Sequence, residues 1–198
     1  SMHCECARSD GMQQTQRNAL TLVLGGARSG KSRYAQQLGE RTEKVVFVAT
    51  AHASDEAMRR KIERHRDERP HQWLTVEEPL ELAATIEQHG PGADLLLIDC
   101  LTLYAANLLD AGDGAPEEID RRVDSLCLAL AQAPCAVVLV SNEVGSGVVP
   151  AYPSGRRYRD LLGEINQKVA RVSDEVVLII AGLPLQLKRR AASPDPCR

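Results

Sequence analysis

The amino-acid sequence predicts an α/β domain of three layers, in which a mostly parallel sheet lies between helices. Three observations predict it. Short, wholly apolar runs recur along the chain, the signature of strands covered on both faces. Segments of helical length and periodicity separate those runs. The first run, residues 21–24, leads straight into Gly25-Gly26-Ala27-Arg28-Ser29-Gly30-Lys31-Ser32, a complete Gly-x4-Gly-Lys-Ser loop with a helical pattern behind it.

Strand, glycine loop and helix in that order are what phosphate binding requires. The glycines let backbone N–H groups curl around phosphate oxygens. Lys31 reaches the terminal phosphates, Ser32 is placed to ligate Mg²⁺, and the helix N-terminus adds partial positive charge. The loop implies a bound nucleoside triphosphate and assigns the domain to the P-loop class.

Further strands are expected at 45–50, 73–76, 95–99, 136–141 and 176–181, with a short edge piece at 185–188 after Pro184. Helical patterns fill about 31–42, 55–68, 79–89, 102–110, 116–133 and 157–172. The run at 95–99, four apolar residues and then Asp99, matches a Walker B strand whose terminal carboxylate holds Mg²⁺ directly or through water. The competing role for Asp99 is to cap the helix that follows. In the pattern at 55–68, Met58, Ile62 and His65 share a face. Spacing alone fits a packed or solvated His65 as well as one facing the nucleotide, and makes the neighbouring arginines a solvated face more often than a phosphate clamp. After the strand at 136–141 comes a Gly-rich stretch, 142–150. It reads either as a flexible connection or as part of the ligand crevice at the strands' carboxyl ends.

The whole is expected to form one domain over 20–188, after a polar, disordered extension at 1–19 and before a loose tail at 189–198. A formal net charge of -3 and 3% aromatic residues argue against a bulk nucleic-acid binder. No apolar run approaches the length of a membrane span, and the N-terminal residues lack a signal peptide's apolar stretch. Six scattered cysteines without C-x-x-C spacing argue against structural zinc and a disulfide framework and fit reduced thiols in a cytoplasmic enzyme.

Several stretches, in order, carry a resemblance: 25–32, 48–51, 55–58, 62–70 with its Ile62-x-x-His65-Arg66-x-x-Arg69-Pro70 frame, 73–79, 97–102 with Asn107 and Leu108, 141–150, and Arg159-Asp160 with Asn166-Gln167. Over about 21–188 the chain resembles the bifunctional adenosylcobinamide kinase / adenosylcobinamide-phosphate guanylyltransferase family of cobalamin biosynthesis. The resemblance implies a RecA-like fold and a homotrimer. It implies two reactions: phosphorylation of adenosylcobinamide by ATP or GTP, then transfer of GMP from GTP to adenosylcobinamide phosphate through a covalent GMP–histidine. That histidine falls on His65. Nucleotide contacts fall on Gly25, Gly26, Ala27, Arg28, Ser29, Gly30, Lys31 and Ser32, on Thr50, Ala51 and His52, on Arg66, Asp67, Glu68 and Arg69, and on Glu77, with Asp99 and Ser32 at the metal. Arg64 stands where some members carry a second histidine, and the N-terminal extension is also atypical.

The chemistry is coherent with that role. A neutral imidazole, with a pKa of about 6.5, is a competent nucleophile at neutral pH, and arginines neutralise phosphate charge. Two other readings compete: a P-loop small-molecule kinase without guanylyl transfer, and a RecA-like ATP-driven binding module. The second would need a basic groove with stacking aromatics, which this composition does not offer.

Overall fold

The fold is that of a computed structural model, which describes residues 18–51, 70–111 and 115–189. The expected extension before residue 18, the helical pattern at 55–68 and the tail from residue 190 lie outside the described residues.

The elements run β1 (Leu20–Gly25), α1 (Lys31–Gly39), β2 (Val45–Ala49), β3 (Leu74–Glu77), α2 (Leu82–His89), β4 (Leu95–Asp99), α3 (Leu101–Asp110), α4 (Pro116–Ala131), β5 (Ala136–Asn142), α5 (Pro153–Val172), β6 (Glu175–Ile180) and β7 (Leu183–Lys188). They build one seven-stranded sheet in the order β3-β2-β4-β5-β1-β6-β7. Every pairing is parallel except β6 with β7. The expected three-layer, mostly parallel architecture is therefore present.

Alternation along the strands decides the layers. Leu22, Val46, Val48, Leu96, Ile98, Val137, Leu139 and Val176 point to one face, where they pack with Leu82, Ile86, Leu101, Leu108, Val123, Leu126, Leu162, Ile165 and Val169 from α2 to α5. Val23, Phe47, Leu95, Leu97, Val138, Val140, Val177 and Ile179 point to the other, with Ala35 of α1 and Trp73. Both faces of the central strands are buried, so those strands read as unbroken apolar runs.

Some boundaries move, each for a local reason. α1 ends at Gly39 rather than near 42. The Trp73 ring lies over that glycine, where a Cβ would come within 2.9 Å of two ring carbons. α5 starts at Pro153 rather than 157 because proline suits the first turn, where its missing N–H costs nothing. β7 begins before Pro184 because an edge strand tolerates proline.

Candidate active site

The six parallel strands direct their carboxyl ends to one rim of the sheet, where open α/β folds bind ligands. Gly25 ends β1 there, in register with Asn142 of β5, and Asp99 ends β4, in register with Val140. β5 separates β1 from β4. Strand spacing therefore puts the backbones at Gly25 and Asp99 roughly 10 Å apart.

The loop 25–32 is a tight cradle. The carbonyl of Gly26 accepts from Ser29 N at 3.3 Å and from Lys31 Nζ at 3.1 Å. A Cβ on Gly25 would lie 2.4 Å from Ser29 Oγ and 2.9 Å from the Ile179 carbonyl oxygen, so only glycine lets β1 pass under the turn. Gly30 caps α1 at a φ of 97°, in the left-handed region that glycine enters without strain. No side chain caps α1, and its first turn holds no acidic residue. Its leading N–H groups are thus left for an anion. From the other side, Gly182 N in the β6–β7 turn donates to Ser29 O at 2.8 Å and holds the loop in place.

Lys31 and Asp99 share this site. Burial holds the Lys31 amine below its ordinary basicity, opposed by the charge of the Asp99 carboxylate and by Cys100. The N-cap of α3 is Cys100, which places Asp99 one residue before the cap. Burial, reinforced by the Asp99 charge, pushes the Cys100 thiol up to about 11, so it is protonated at neutral pH and no competing nucleophile. The hydroxyl of Ser32 and the carboxylate of Asp99 are hard oxygen donors that fit Mg²⁺. Among the described residues no cluster of three or more His, Cys, Asp or Glu could hold a metal. Mg²⁺ at nucleotide sites draws most of its ligands from phosphate and water.

Beside Asp99, the end of β2 is pinned. Buried Thr50 donates Oγ1 to Cys100 O and accepts from Cys100 N, both at 2.7 Å, and its own N–H donates to Asp99 O at 3.2 Å. Asn107 Nδ2 donates to Thr50 O at 2.9 Å and to Pro79 O at 3.0 Å. Every polar group of Thr50 is engaged within the protein, so it sets the shape of the crevice. Ala51 follows, half-buried, and Glu77 ends β3 in an exposed position on the far side of β2. His52, His65, Arg66, Asp67, Glu68 and Arg69 lie outside the described residues. The chain that carries them departs from Ala51, at the carboxyl end of β2, next to Asp99.

A second network supports the β5 side, and the sequence reading assigned it no role. Ser141 Oγ donates to Asn166 Oδ1 at 2.6 Å, and Asn166 Nδ2 donates to Asn142 O at 3.0 Å. Asn142 N donates to Thr102 Oγ1 at 2.9 Å, while the Tyr158 hydroxyl donates to Thr102 O at 3.2 Å. Glu143 N extends the ladder to Gly25 O at 3.1 Å. The stretch after β5 thus begins beside the phosphate loop.

Residues 21–187 match the family model described as cobinamide kinase / cobinamide phosphate guanyltransferase. The chain belongs to this family. The bifunctional adenosylcobalamin biosynthesis protein CobP of Pseudomonas aeruginosa is 45% identical over 168 residues, covering 84% of this chain and 96% of that protein. CobU of Escherichia coli K12, also a bifunctional adenosylcobalamin biosynthesis protein, is 38% identical over 180 residues, 85% of this chain and 99% of that one. Among solved structures, an ATPase from the type III secretion system of pathogenic bacteria superposes with a TM-score of 0.53 at 14% identity, over 85% of this chain and 56% of that chain. That likeness concerns the fold alone and agrees with the P-loop architecture. The cobinamide kinase / guanyltransferase match spans the phosphate loop, His65, Asp99 and the 142–150 stretch together.

Proposed function

We propose that the chain phosphorylates the alcohol of adenosylcobinamide with ATP or GTP, then transfers GMP from GTP to the resulting phosphate through a GMP–His65 intermediate. The products are adenosylcobinamide-GDP and pyrophosphate. The observation that carries this is the phosphate loop with Lys31 in the field of Asp99, in a chain whose family is the cobinamide kinase / guanyltransferases.

In the kinase step the loop N–H groups, the α1 N-terminus and Lys31 bind the triphosphate and stabilise charge on the transferred phosphoryl group; positioning and electrostatics suffice for such a transfer. Mg²⁺, held by Ser32 and Asp99, neutralises phosphate charge when bound. In the guanylyl step the neutral imidazole of His65 attacks the α-phosphorus of GTP, forming a P–N bond as pyrophosphate leaves. The acceptor phosphate then displaces the imidazole. One hard displacement becomes two easier ones. Arg66 and Arg69 pair with the phosphates, and Thr50, Ala51, His52, Asp67, Glu68 and Glu77 complete the nucleotide contacts that the resemblance implies.

The same resemblance implies a homotrimer. Ile180, Leu183, Leu185 and Leu187 on β6 and β7 are exposed apolar residues, which self-association would bury. Among the described residues no helix is long and apolar enough to cross a membrane.

Incubation with GTP labelled at the α-phosphate tests the reading. One labelled GMP per chain, released by acid and retained in base, is expected. A chain that phosphorylates adenosylcobinamide yet never carries label would be a kinase alone.

A further inference from the structure

A cobinamide is a broad corrin macrocycle edged with methyl groups and amide arms. It is too large to enter a phosphate crevice, so only its alcohol arm reaches the nucleotide. Its body must rest on the rim, on a surface that is apolar, pre-shaped and joined to the phosphate loop.

The connection between β5 and α5 has these properties. Val148 is 96% exposed, Tyr152 77% and Val149 60%. Exposed apolar side chains so grouped, beside a site, mark a contact surface. They sit on a held backbone. Glu143 Oε1 accepts from Gly145 N at 2.6 Å and Ser146 N at 3.2 Å. The Arg156 guanidinium donates to Pro150 O at 2.9 Å and to Ala151 O at 2.8 Å. Gly155 lets the first turn of α5 close on Pro150, whose Cβ would be 2.9 Å from a Cβ there.

At its inner end the connection meets the crevice through Glu143 N and Gly25 O, 3.1 Å apart. Beside that junction Asn142 Oδ1 is buried without a hydrogen-bond partner among the described residues. A buried acceptor in that state calls for a donor. At the outer end a cleft of about 610 Å³ opens between α3 and the start of α5, lined by Leu109, Asp110, Ser154, Arg157 and Tyr158.

We propose that the β5–α5 connection seats the corrinoid acceptor: Val148, Val149 and Tyr152 bear on the macrocycle. The polar cleft receives fringe amides. This assignment rests on the function proposed above.

The test measures KM for adenosylcobinamide in Val148→Asp and Tyr152→Ala, alongside GMP loading from GTP alone and the sedimentation mass. KM is expected to rise about tenfold or more in each variant, as loss of a large apolar contact does. GMP loading and mass stay those of wild type. An unmoved KM in both variants, with wild type active, overturns the seat while leaving the function intact. A fall in mass with the KM change overturns it too, because a second copy of the chain then covers this surface. Wild type inactive on adenosylcobinamide overturns the functional reading itself.

Discussion

At the scale of single residues, two substitutions test the proposed roles, and that of His65 separates the two reactions. His65→Ala is expected to abolish guanylyl transfer and leave most of the kinase rate, since only the second reaction needs a nucleophile on the protein. Intact mass after GTP treatment, with the two rates assayed separately, checks it. A variant that still gains GMP would shift the nucleophile to His52. Asp99→Asn keeps the shape of the β4 terminus but removes a charge, so activity should demand more Mg²⁺ while the fold persists. A Mg²⁺ titration identical to wild type would refute the metal role. The roles proposed for Lys31, Ser32 and Asp99 can be read from sequence because phosphate and Mg²⁺ chemistry constrains both residue type and spacing. His65 was not legible that way: its spacing fits a packed or solvated histidine as well, and only family resemblance distinguished it. Asn142, Asn166 and Thr102 lay within resembling stretches without a legible role. An amide that bridges a strand end to a helix 24 residues later leaves no local pattern.

At the scale of elements, the support of β5 by α5 is the part most open to test. Asn166 is buried and satisfies both Ser141 Oγ and the Asn142 carbonyl. Asn166→Ala orphans a buried hydroxyl and a carbonyl, at a cost of about 1–3 kcal/mol. Thermal denaturation should register a Tm lower by roughly 3–10 °C at this chain length, and the acceptor side of the reaction should suffer more than GMP loading. An unchanged Tm would mean that water replaces the amide. The strands themselves were legible, since each buried run is apolar on both faces. Their lateral order was not, because an apolar run carries no label for its neighbour. Nor was the true start of α5, where Pro153 opens a helix that periodicity detects only from 157.

At the scale of the whole molecule, nucleotide binding and folding are linked. Ligand at 100 times its Kd stabilises the native state by about 2.7 kcal/mol, so saturating Mg²⁺ and GTP should raise Tm by roughly 5–10 °C. Lys31→Ala should lose most of that shift; retention of the full shift would place the nucleotide elsewhere. Sedimentation at micromolar concentration should give the mass of a trimer, and a monomer mass would refute the assembly. The strand order has one more consequence, in the time domain. β1 is made first, yet its two neighbours are β5 and β6, which begin at residues 136 and 175. On the ribosome the phosphate loop emerges early and waits, with one edge of its strand open until β5 has been translated and the other until β6 has. Such long-range pairing makes folding slow and leaves the nascent chain prone to wrong partners. Nucleotide cannot rescue the early chain, because the cradle it would bind is finished only when Gly182 N reaches Ser29 O, after β6 has been made.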